Sequence, residues 1–388
     1  MTPPLEHTLS RHHFKRSRTA SIAVPSLSSP TIGPGQCSQP SDDTSTKLIC
    51  QVVAIKHVLT FLIALLLAPL AAQAQQPSIP AASPIMKWAD SSRLGRPLSK
   101  DPHVVEFGGR YLMYFSLPPF DAKLAPQNAP KGWSIGIAES RDLLNWEKIG
   151  ELWPEQQCEK NGLCSPSAIV LEGKVHLFYA SYGNGKKDGI CHAVSEDGLR
   201  FTRNPSNPVF NPSGDWTCGR AIDPEVFVQG DQLLLYFATR DPEMKIQMLG
   251  VAGSDLKSGF GRATWKQLCD APILKPELPW ETKCIEAPSI CRRGDELIMF
   301  YAGGYNNDPQ QVAVAISRDG LKWERISTEP LLRNGNPGEW NSSESGHPGI
   351  FTTRDGQTWL FFQGNNDKGR TWFLSRSAVQ WSGNRPRL

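Results

Sequence analysis

The sequence predicts an all-β fold: a five-bladed β-propeller with four antiparallel strands per blade and an active site in the central channel. Two observations predict it. A hairpin-like segment with alternating apolar residues and aromatic side chains recurs five times, at a period of roughly 60 residues. A second signature follows four of the hairpins and predicts a turn that leads into a further strand. One such repeat cannot bury its own sheet faces, so the five repeats must pack around one axis.

The hairpins are recognised by their turns, which use residues for which a positive φ costs little. These turns are Gly108-Gly109, Glu172-Gly173, Gly230-Asp231, Gly294-Asp295 and Asp355-Gly356. The second signature reads SRDLLNW (140–146), SEDGLRF (195–201), SRDGLKW (317–323) and SRSAVQW (375–381), with Ser254-Asp255-Leu256 as a degenerate copy. In each copy we expect the third strand to end in a turn and an aromatic residue to open the fourth strand.

The N-terminal region predicts export. Residues 58–67 read VLTFLIALLL after Lys56, and Ala72-Gln73-Ala74 follows, which is the pattern of a cleaved secretory signal. The apolar run is too short to span a bilayer comfortably. We therefore expect a disordered leader over residues 1–55, which is not necessarily translated, and a signal peptide over residues 56–74 that is cleaved near Ala74. A linker over residues 75–94 should follow, and then the catalytic propeller over residues 95–388, with no further domain. The product is a secreted or periplasmic protein.

Charge excludes some partners. Residues 75–388 carry 35 basic and 35 acidic side chains, so they offer no basic excess for nucleic acid or for an anionic membrane surface. We expect a monomer with no membrane association after signal cleavage. Seven cysteines lie in this region without metal-type CxxC pairs. In an oxidising compartment some should pair, and Cys158–Cys164 and Cys269–Cys284 are the candidates.

The residues that open the five repeats should face the channel, because the innermost strand of each blade lines it. They are Asp101, Ser165, Asp223, Glu286 and His347. Packing alone would favour small apolar residues there, and buried carboxylates are costly unless solvated or partnered. A single Asp before Pro can be a simple strand cap, but three carboxylates together predict glycoside hydrolysis, which needs an acid and a base.

Three motifs resemble glycoside hydrolase family 43, over about residues 95 to 385. They are KDPHVVEFGGRYLMYFS around Asp101, RAIDPEVFVQGDQLLLYFA around Asp223 and CIEAPSICRRGDELIMFYAGG around Glu286. The resemblance implies an inverting mechanism on arabinose- or xylose-containing glycans, with an oligo- or polysaccharide as substrate. It implies Asp101 as general base and Glu286 as general acid, roughly 6.5–9.5 Å apart. Asp223 would position Glu286 and keep its pKa high.

Substrate-binding candidates surround these three. They are Ser165, Arg220, Arg240, His347 and Tyr305, with Trp133, Tyr182 and Trp340 as further aromatics near the channel mouth. No cofactor is required by this chemistry. The resemblance places His347 where many members keep a channel histidine near a bound cation, so a cation such as calcium is left open. The Pro-rich loop 117–133 can wall off one side and favours exo cleavage.

The sequence departs from the family at Cys164-Ser165-Pro166, where a Trp-Ala-Pro motif is usual. Three alternatives stay open. A fructan enzyme of family 32 would need N-D-P and E-C motifs that are missing here, and Arg240-Asp241-Pro242 follows the third hairpin instead of preceding it. Related five-bladed families, family 117 among them, would give a galactosidase-like or otherwise divergent specificity. A non-catalytic carbohydrate-binding propeller has no need for all three carboxylates.

Overall fold

Twenty β-strands form five four-stranded antiparallel sheets in the computed structural model, which describes residues 85–388. Each sheet is built from consecutive strands, which is the blade arrangement that the repeats predict. The predicted leader and signal peptide lie outside the described residues. No helix within residues 85–388 has the length and apolar character needed to cross a membrane.

The strand bounds follow the sequence repeats. The first blade contains β1 (Lys100–Phe107), β2 (Arg110–Leu117), β3 (Ser134–Ser140) and β4 (Glu147–Leu152). The second contains β5 (Leu163–Leu171), β6 (Lys174–Ser181), β7 (Ile190–Ser195) and β8 (Thr202–Arg203). The third contains β9 (Ile222–Gln229), β10 (Gln232–Arg240), β11 (Gln247–Asp255) and β12 (Lys266–Gln267). The fourth contains β13 (Ile285–Arg293), β14 (Glu296–Gly303), β15 (Gln311–Ser317) and β16 (Glu324–Arg325). The fifth contains β17 (Glu344–Thr352), β18 (Thr358–Asn365), β19 (Phe373–Ser382) and β20 (Arg385–Arg387). Short 3₁₀ turns lie at Gln157–Glu159, Gly185–Lys187, Arg262–Thr264 and Pro279–Glu281.

The first strands of the blades form a closed ring. Strand β1 contacts β5, β5 contacts β9, β9 contacts β13, β13 contacts β17, and β17 contacts β1. The second strand of each blade fills the space between neighbours by simple alternation. In β2, Leu112 and Tyr114 pack toward the second blade, whereas Met113 and Phe115 pack toward the fifth. Five apolar clusters of this kind, one for each pair of adjacent blades, make up the core.

The ring is fastened by residues that precede the first blade. Trp88 pairs with Leu374 of β19 through two backbone hydrogen bonds of 3.0 and 2.8 Å. The Ser375 hydroxyl donates to the Met86 carbonyl at 2.6 Å, and the Met86 side chain is buried between the fifth and first blades. The described part of the segment 75–94 is therefore packed against the propeller.

The five predicted hairpin turns are confirmed, and the second signature forms the turn after the third strand in the first, second and fourth blades. In each of these turns an Asp carboxylate accepts backbone N–H groups two and three residues later. For Asp319 the donors are Leu321 at 2.8 Å and Lys322 at 2.9 Å. The prediction is wrong for SRSAVQW (375–381), which lies inside β19. Ser377 replaces the Asp there, so no carboxylate caps a turn and the strand continues to Ser382.

Neither predicted disulfide forms, because all seven cysteines of residues 85–388 are free. The thiol closest to Cys158 is that of Cys191, with the two sulfur atoms 3.9 Å apart. Cys164 is buried in the channel wall instead, next to Ser165, and Cys269 hydrogen-bonds to the backbone of Val251. Sequence proximity therefore did not identify the neighbouring thiols.

A buried layer below the channel residues joins the blades. It is formed by the residue after each inner-strand proline: His103, Ser167, Glu225, Ser289 and Gly349. The Glu225 carboxylate accepts hydrogen bonds from the hydroxyls of Ser167 at 3.0 Å and Ser289 at 3.2 Å, which belong to the second and fourth blades. Position 349 requires glycine, because a Cβ atom there would lie 2.2 Å from the Pro102 carbonyl oxygen.

Glu225 is expected to make stability depend on pH. Burial raises the pKa of Glu225 to about 7, from its ordinary value of 4.5. The folded state therefore keeps this proton after the unfolded chain has released it, and its stabilising effect is lost as the pH rises from about 4.5 through about 7. Relative to the Glu225→Gln variant, the wild-type free energy of unfolding should fall by up to roughly 3 kcal/mol over that range.

Urea unfolding at a series of pH values measures this difference. The exposed Glu243→Gln variant is the control, and its difference from wild type should stay flat with pH. Parallel pH curves for wild type and Glu225→Gln would show that the carboxylate does not hold its proton in the folded state.

Candidate active site

A backbone irregularity repeated in all five blades shapes the site. The residue before the inner-strand proline adopts a left-handed φ in every blade: Asp101 (55°), Ser165 (51°), Asp223 (49°), Ala287 (49°) and His347 (51°). The strand register shifts at the same point in each sheet, which marks a β-bulge. A left-handed conformation costs a non-glycine residue roughly 1–2 kcal/mol, and such strain concentrates at functional sites.

The bulge explains how the channel acquires so many side chains. In a regular strand, successive side chains point to opposite faces of the sheet. Here consecutive residues face the same cavity, as Lys100 and Asp101 do in the first blade and Ile222 and Asp223 do in the third. Each inner strand can therefore supply two neighbouring residues to the channel.

The structure corrects one part of the sequence alignment. Glu286 is not equivalent to Asp101, Ser165, Asp223 and His347, because Ala287 occupies that position in the fourth blade. Glu286 lies one residue earlier and corresponds to Lys100 in the first blade. The sequence itself shows this offset. Ala287 separates Glu286 from Pro288, whereas in the other blades the opening residue directly precedes the proline. Because of the bulge, the Glu286 side chain still reaches the same cavity.

All the predicted site residues line one cavity, which we call the channel pocket. It has a volume of about 550 Å³ including its open mouth. Its walls are Lys100, Asp101, Trp133, Cys164, Ser165, Tyr182, Arg220, Ile222, Asp223, Arg240, Gln247, Glu286, Tyr305, Asn306 and His347. The aromatics Trp133, Tyr182 and Tyr305 are thus at the pocket. Trp340 is not, since it stacks on Phe362 with ring centroids 5.8 Å apart. Of the loop 117–133, only Trp133 lines the pocket.

His347 is a buried cation between two carboxylates. Its Nε2 lies 3.4 Å from Asp101 Oδ1 and 3.7 Å from Asp223 Oδ1. Burial alone lowers the pKa of His347, but the charges of Asp101 and Asp223 outweigh it and raise the pKa to about 9. The same contact holds the pKa of Asp223 below its ordinary value despite burial. His347 therefore supplies a positive charge next to both carboxylates.

Asp101 is held by its neighbours, and one of its carboxylate oxygens accepts no hydrogen bond within the described part of the chain. Its backbone N–H donates to Gln363 Oε1 at 3.0 Å, and the Ser165 hydroxyl donates to Oδ2 at 3.3 Å. The other oxygen, Oδ1, is buried and faces His347 Nε2 at 3.4 Å, but it accepts no hydrogen bond from residues 85–388. It is available to accept a proton from a water molecule or hydroxyl in the pocket. Ser165 thus orients this carboxylate.

Glu286 has the electrostatics of an acid. Burial and the nearby charge of Asp223 raise the pKa of Glu286. Gln310 Nε2 donates to Glu286 Oε1 at 2.7 Å, and Gln247 Nε2 donates to Oε2. These two amides fix the carboxyl plane and moderate the rise in pKa, because they stabilise the ionised form.

Sequence reasoning missed both glutamines and two further contributors. Gln247 starts β11 and Gln310 precedes β15, outside the inner strands on which the repeat analysis concentrated. Gln363 on β18 links Asp101 to Glu344, whose carboxylate accepts from Gln363 Nε2 at 2.9 Å. Lys100 donates to Asn306 Oδ1 at 3.0 Å. Lys100 could have been predicted as a pocket residue from the sequence, because it directly precedes Asp101. No motif in the sequence marks the glutamines as site residues.

The two predicted arginines differ in their partners. Arg220 Nε forms an ion pair of 3.0 Å with the buried Asp188, beside the ring of Tyr182. Arg240 Nε donates to Gln247 Oε1 at 2.9 Å, and its guanidinium lies 5.3 Å from the centre of the Tyr305 ring. Both line the pocket. Their binding roles stay predictions.

Asp223, Glu286 and His347 are the one group among residues 85–388 whose ligand atoms lie close enough to share a metal ion. Calcium prefers six to eight oxygen ligands, whereas this set offers two carboxylates and an imidazole. The residues fit a resident calcium ion poorly, and no step below depends on one.

Comparison with known families agrees with the geometry. A family model described as glycosyl hydrolases family 43 matches residues 94–383, which is most of the chain. Among curated proteins, a sucrose-6-phosphate hydrolase of Bacillus subtilis (strain 168) is 35% identical over 115 residues. That match covers 27% of this chain and only 22% of the relative.

Solved structures share the fold at low identity. A thermostable family-43 glycoside hydrolase superposes with a TM-score of 0.58 at 18% identity, over 74% of this chain and 92% of that one. An α-L-arabinanase of Cellvibrio cellulosa, solved with arabinohexaose, superposes with a TM-score of 0.57 at 17% identity, over 75% of this chain and 95% of that one. These matches agree with the five-bladed architecture.

The Gln310→Leu variant tests the electrostatics of Glu286. Removing the donor at 2.7 Å should destabilise the ionised carboxylate and raise the pKa of Glu286 further. Carboxyl ¹³C NMR titration measures this pKa, and Glu286→Gln identifies the resonance by removing it. Gln357→Leu, on the turn between β17 and β18, is the matched control and should leave the titration unchanged. A pKa that falls in Gln310→Leu would contradict the arrangement.

Proposed function

The chain belongs to the glycosyl hydrolases of family 43, and from this premise we propose that it is an exported glycosidase that acts with inversion. Its substrate is an arabinose- or xylose-containing oligo- or polysaccharide, from which it removes terminal units. The observation that carries the proposal is the channel pocket itself. There a buried carboxylate oxygen on Asp101 that accepts no hydrogen bond from the described residues lies in the same cavity as Glu286, whose pKa is raised.

Each residue has a role in this mechanism. Asp101 accepts a proton from a water molecule that attacks the anomeric carbon. Glu286 donates its proton to the departing glycosidic oxygen, which requires that it be protonated at working pH. Asp223, ionised beside His347, raises the pKa of Glu286 by repulsion. The water enters one face of the sugar as the leaving group departs from the other, so the anomeric configuration inverts.

Exo action is supported by the shape of the pocket. Residues of all five inner strands line it, so it is a hole at the centre of the ring. Below it, a smaller cavity is lined by the five inner-strand prolines, Pro102, Pro166, Pro224, Pro288 and Pro348. A terminal sugar can enter such a hole, whereas an internal unit would need its chain to leave on two sides. Trp133, Tyr182 and Tyr305 offer aromatic faces for stacking.

Glu286→Gln tests the general acid. On natural oligosaccharides kcat/KM should fall by about 10²- to 10⁴-fold, and the loss should be smaller on aryl glycosides because aryl groups leave with little acid assistance. The assay panel contains aryl α-L-arabinofuranoside, β-D-xyloside and α- and β-D-galactosides, together with sucrose 6-phosphate. The exposed Glu243→Gln variant is the control and should retain full activity. Equal losses on aryl and natural substrates would argue against Glu286 as the acid.

The stereochemical outcome tests the mechanism separately. ¹H NMR of the first minutes of hydrolysis should show the sugar released with the anomeric configuration opposite to that of the substrate. Retention would overturn the roles given to Asp101 and water. Hydrolysis of sucrose 6-phosphate in place of the arabinoside and xyloside would instead move the substrate to the fructoside class, with the fold unchanged.

A further inference from the structure

The channel pocket combines basic and acidic side chains, and one of the basic side chains lacks a carboxylate partner. Four basic side chains line it: Lys100, Arg220, Arg240 and His347. Two of them form ion pairs. His347 lies between Asp101 and Asp223, and Arg220 is paired with Asp188. The charges of these two are therefore compensated within the protein.

The charges of Asp101, Glu344 and Glu286 outweigh burial and raise the pKa of Lys100, so its charge is compensated as well, and Arg240 is the remaining cation. Among residues 85–388, no carboxylate lies within salt-bridge distance of the Arg240 side chain. Arg240 donates to Gln247 Oε1 at 2.9 Å and, at 3.5 Å, to the Met244 carbonyl, which are neutral acceptors. A partly buried cation without a counter-charge is costly, and an anionic ligand would offset that cost.

Arg240 is placed on the side of the pocket where a leaving group departs. It donates to Gln247, and Gln247 donates to Glu286, the carboxyl that faces the glycosidic oxygen. One side chain thus separates the guanidinium from the acid. The ring of Tyr305, 5.3 Å from the guanidinium, restricts its position. A planar guanidinium held in this way can bind a carboxylate or phosphate through two parallel hydrogen bonds.

We propose that Arg240 forms a subsite for an anionic group, a carboxylate or phosphate, on the sugar unit that leaves. This inference rests on the proposed function for the direction of departure, but the anion site itself rests on the uncompensated guanidinium of Arg240. The enzyme would then release terminal neutral sugars from acidic glycans or from phosphorylated sugars.

Equilibrium binding to the full chain tests the subsite without any need for turnover. Isothermal titration calorimetry compares two pairs of probes, D-galacturonate against D-galactose and D-glucose 6-phosphate against D-glucose. The anionic member of at least one pair should bind about tenfold or more tightly than its neutral partner, and added salt should reduce the difference. The pair that shows the larger difference identifies carboxylate or phosphate as the preferred group.

Variants assign the effect to Arg240. Arg240→Gln should abolish the preference for the anionic probe, whereas Arg240→Lys should keep part of it. Arg200→Gln, an exposed arginine at the turn after β7, is the matched control and should leave the preference unchanged. Circular dichroism melting checks that each variant is folded. Equal binding within both pairs would overturn the proposal, and so would a preference for the anionic probe that survives Arg240→Gln. The proposal would also be wrong if inorganic phosphate bound as tightly as the sugar phosphate.

A parallel assay separates this inference from the proposed function. The same protein is tested on the uncharged aryl glycosides. Hydrolysis without any preference for anionic probes would refute the subsite and leave the glycosidase proposal standing. A preference for anionic probes without hydrolysis of any glycoside would refute the catalytic proposal and leave the anion site standing.

Discussion

A left-handed residue before proline on each inner strand determines where the side chains of the pocket can stand. A regular strand presents every second residue to the channel, so five strands would offer five sparse positions at one level. Because of the bulge, the side chains of two neighbouring residues face the same cavity, as those of Lys100 and Asp101 do. The strain of five such residues is offset by the apolar clusters between blades and by the hydrogen bonds that Glu225 makes to the second and fourth blades.

The electrostatics of the pocket follow from this crowding. The imidazolium of His347 lies between Asp101 and Asp223, and its positive charge offsets the charges of both carboxylates. The Glu286 carboxyl is close to His347 as well, since ligand atoms of Asp223, Glu286 and His347 lie within 4.8 Å of one another. Burial and the charge of Asp223 still favour its protonated form, against the opposing effects of His347, Lys100 and the Gln310 amide. One ring of side chains thus holds an ionised side and a neutral side within a few ångströms, which is the difference that acid–base catalysis needs.

Much of this could be predicted from the sequence, because repeats and turns are local signals. The five hairpins, their turns and the channel-facing openers follow from spacing and from Gly and Asp positions. The one-residue offset of Glu286 was also readable, in the Ala between it and Pro288. Other parts depend on contacts between distant residues. Gln247, Gln310 and Gln363 reach the site from second and third strands, and no motif marks them. The partner of Cys158 is likewise set by how two segments pack and not by their separation in sequence.

Trp88 pairs with β19, so the ring can close only after both ends of the propeller have been synthesised. The segment around Met86 is among the earliest parts of the propeller to emerge from a ribosome or a translocation pore, and its partner, Leu374, is among the last. Until both are present, the fifth blade lacks part of its outer cover and the first blade exposes Phe115 and its neighbours. A chain arrested before residue 374 would carry four finished blades and an open seam. Closure is therefore a late, whole-chain event, and quality-control factors that bind exposed apolar surface would have their longest opportunity at this seam.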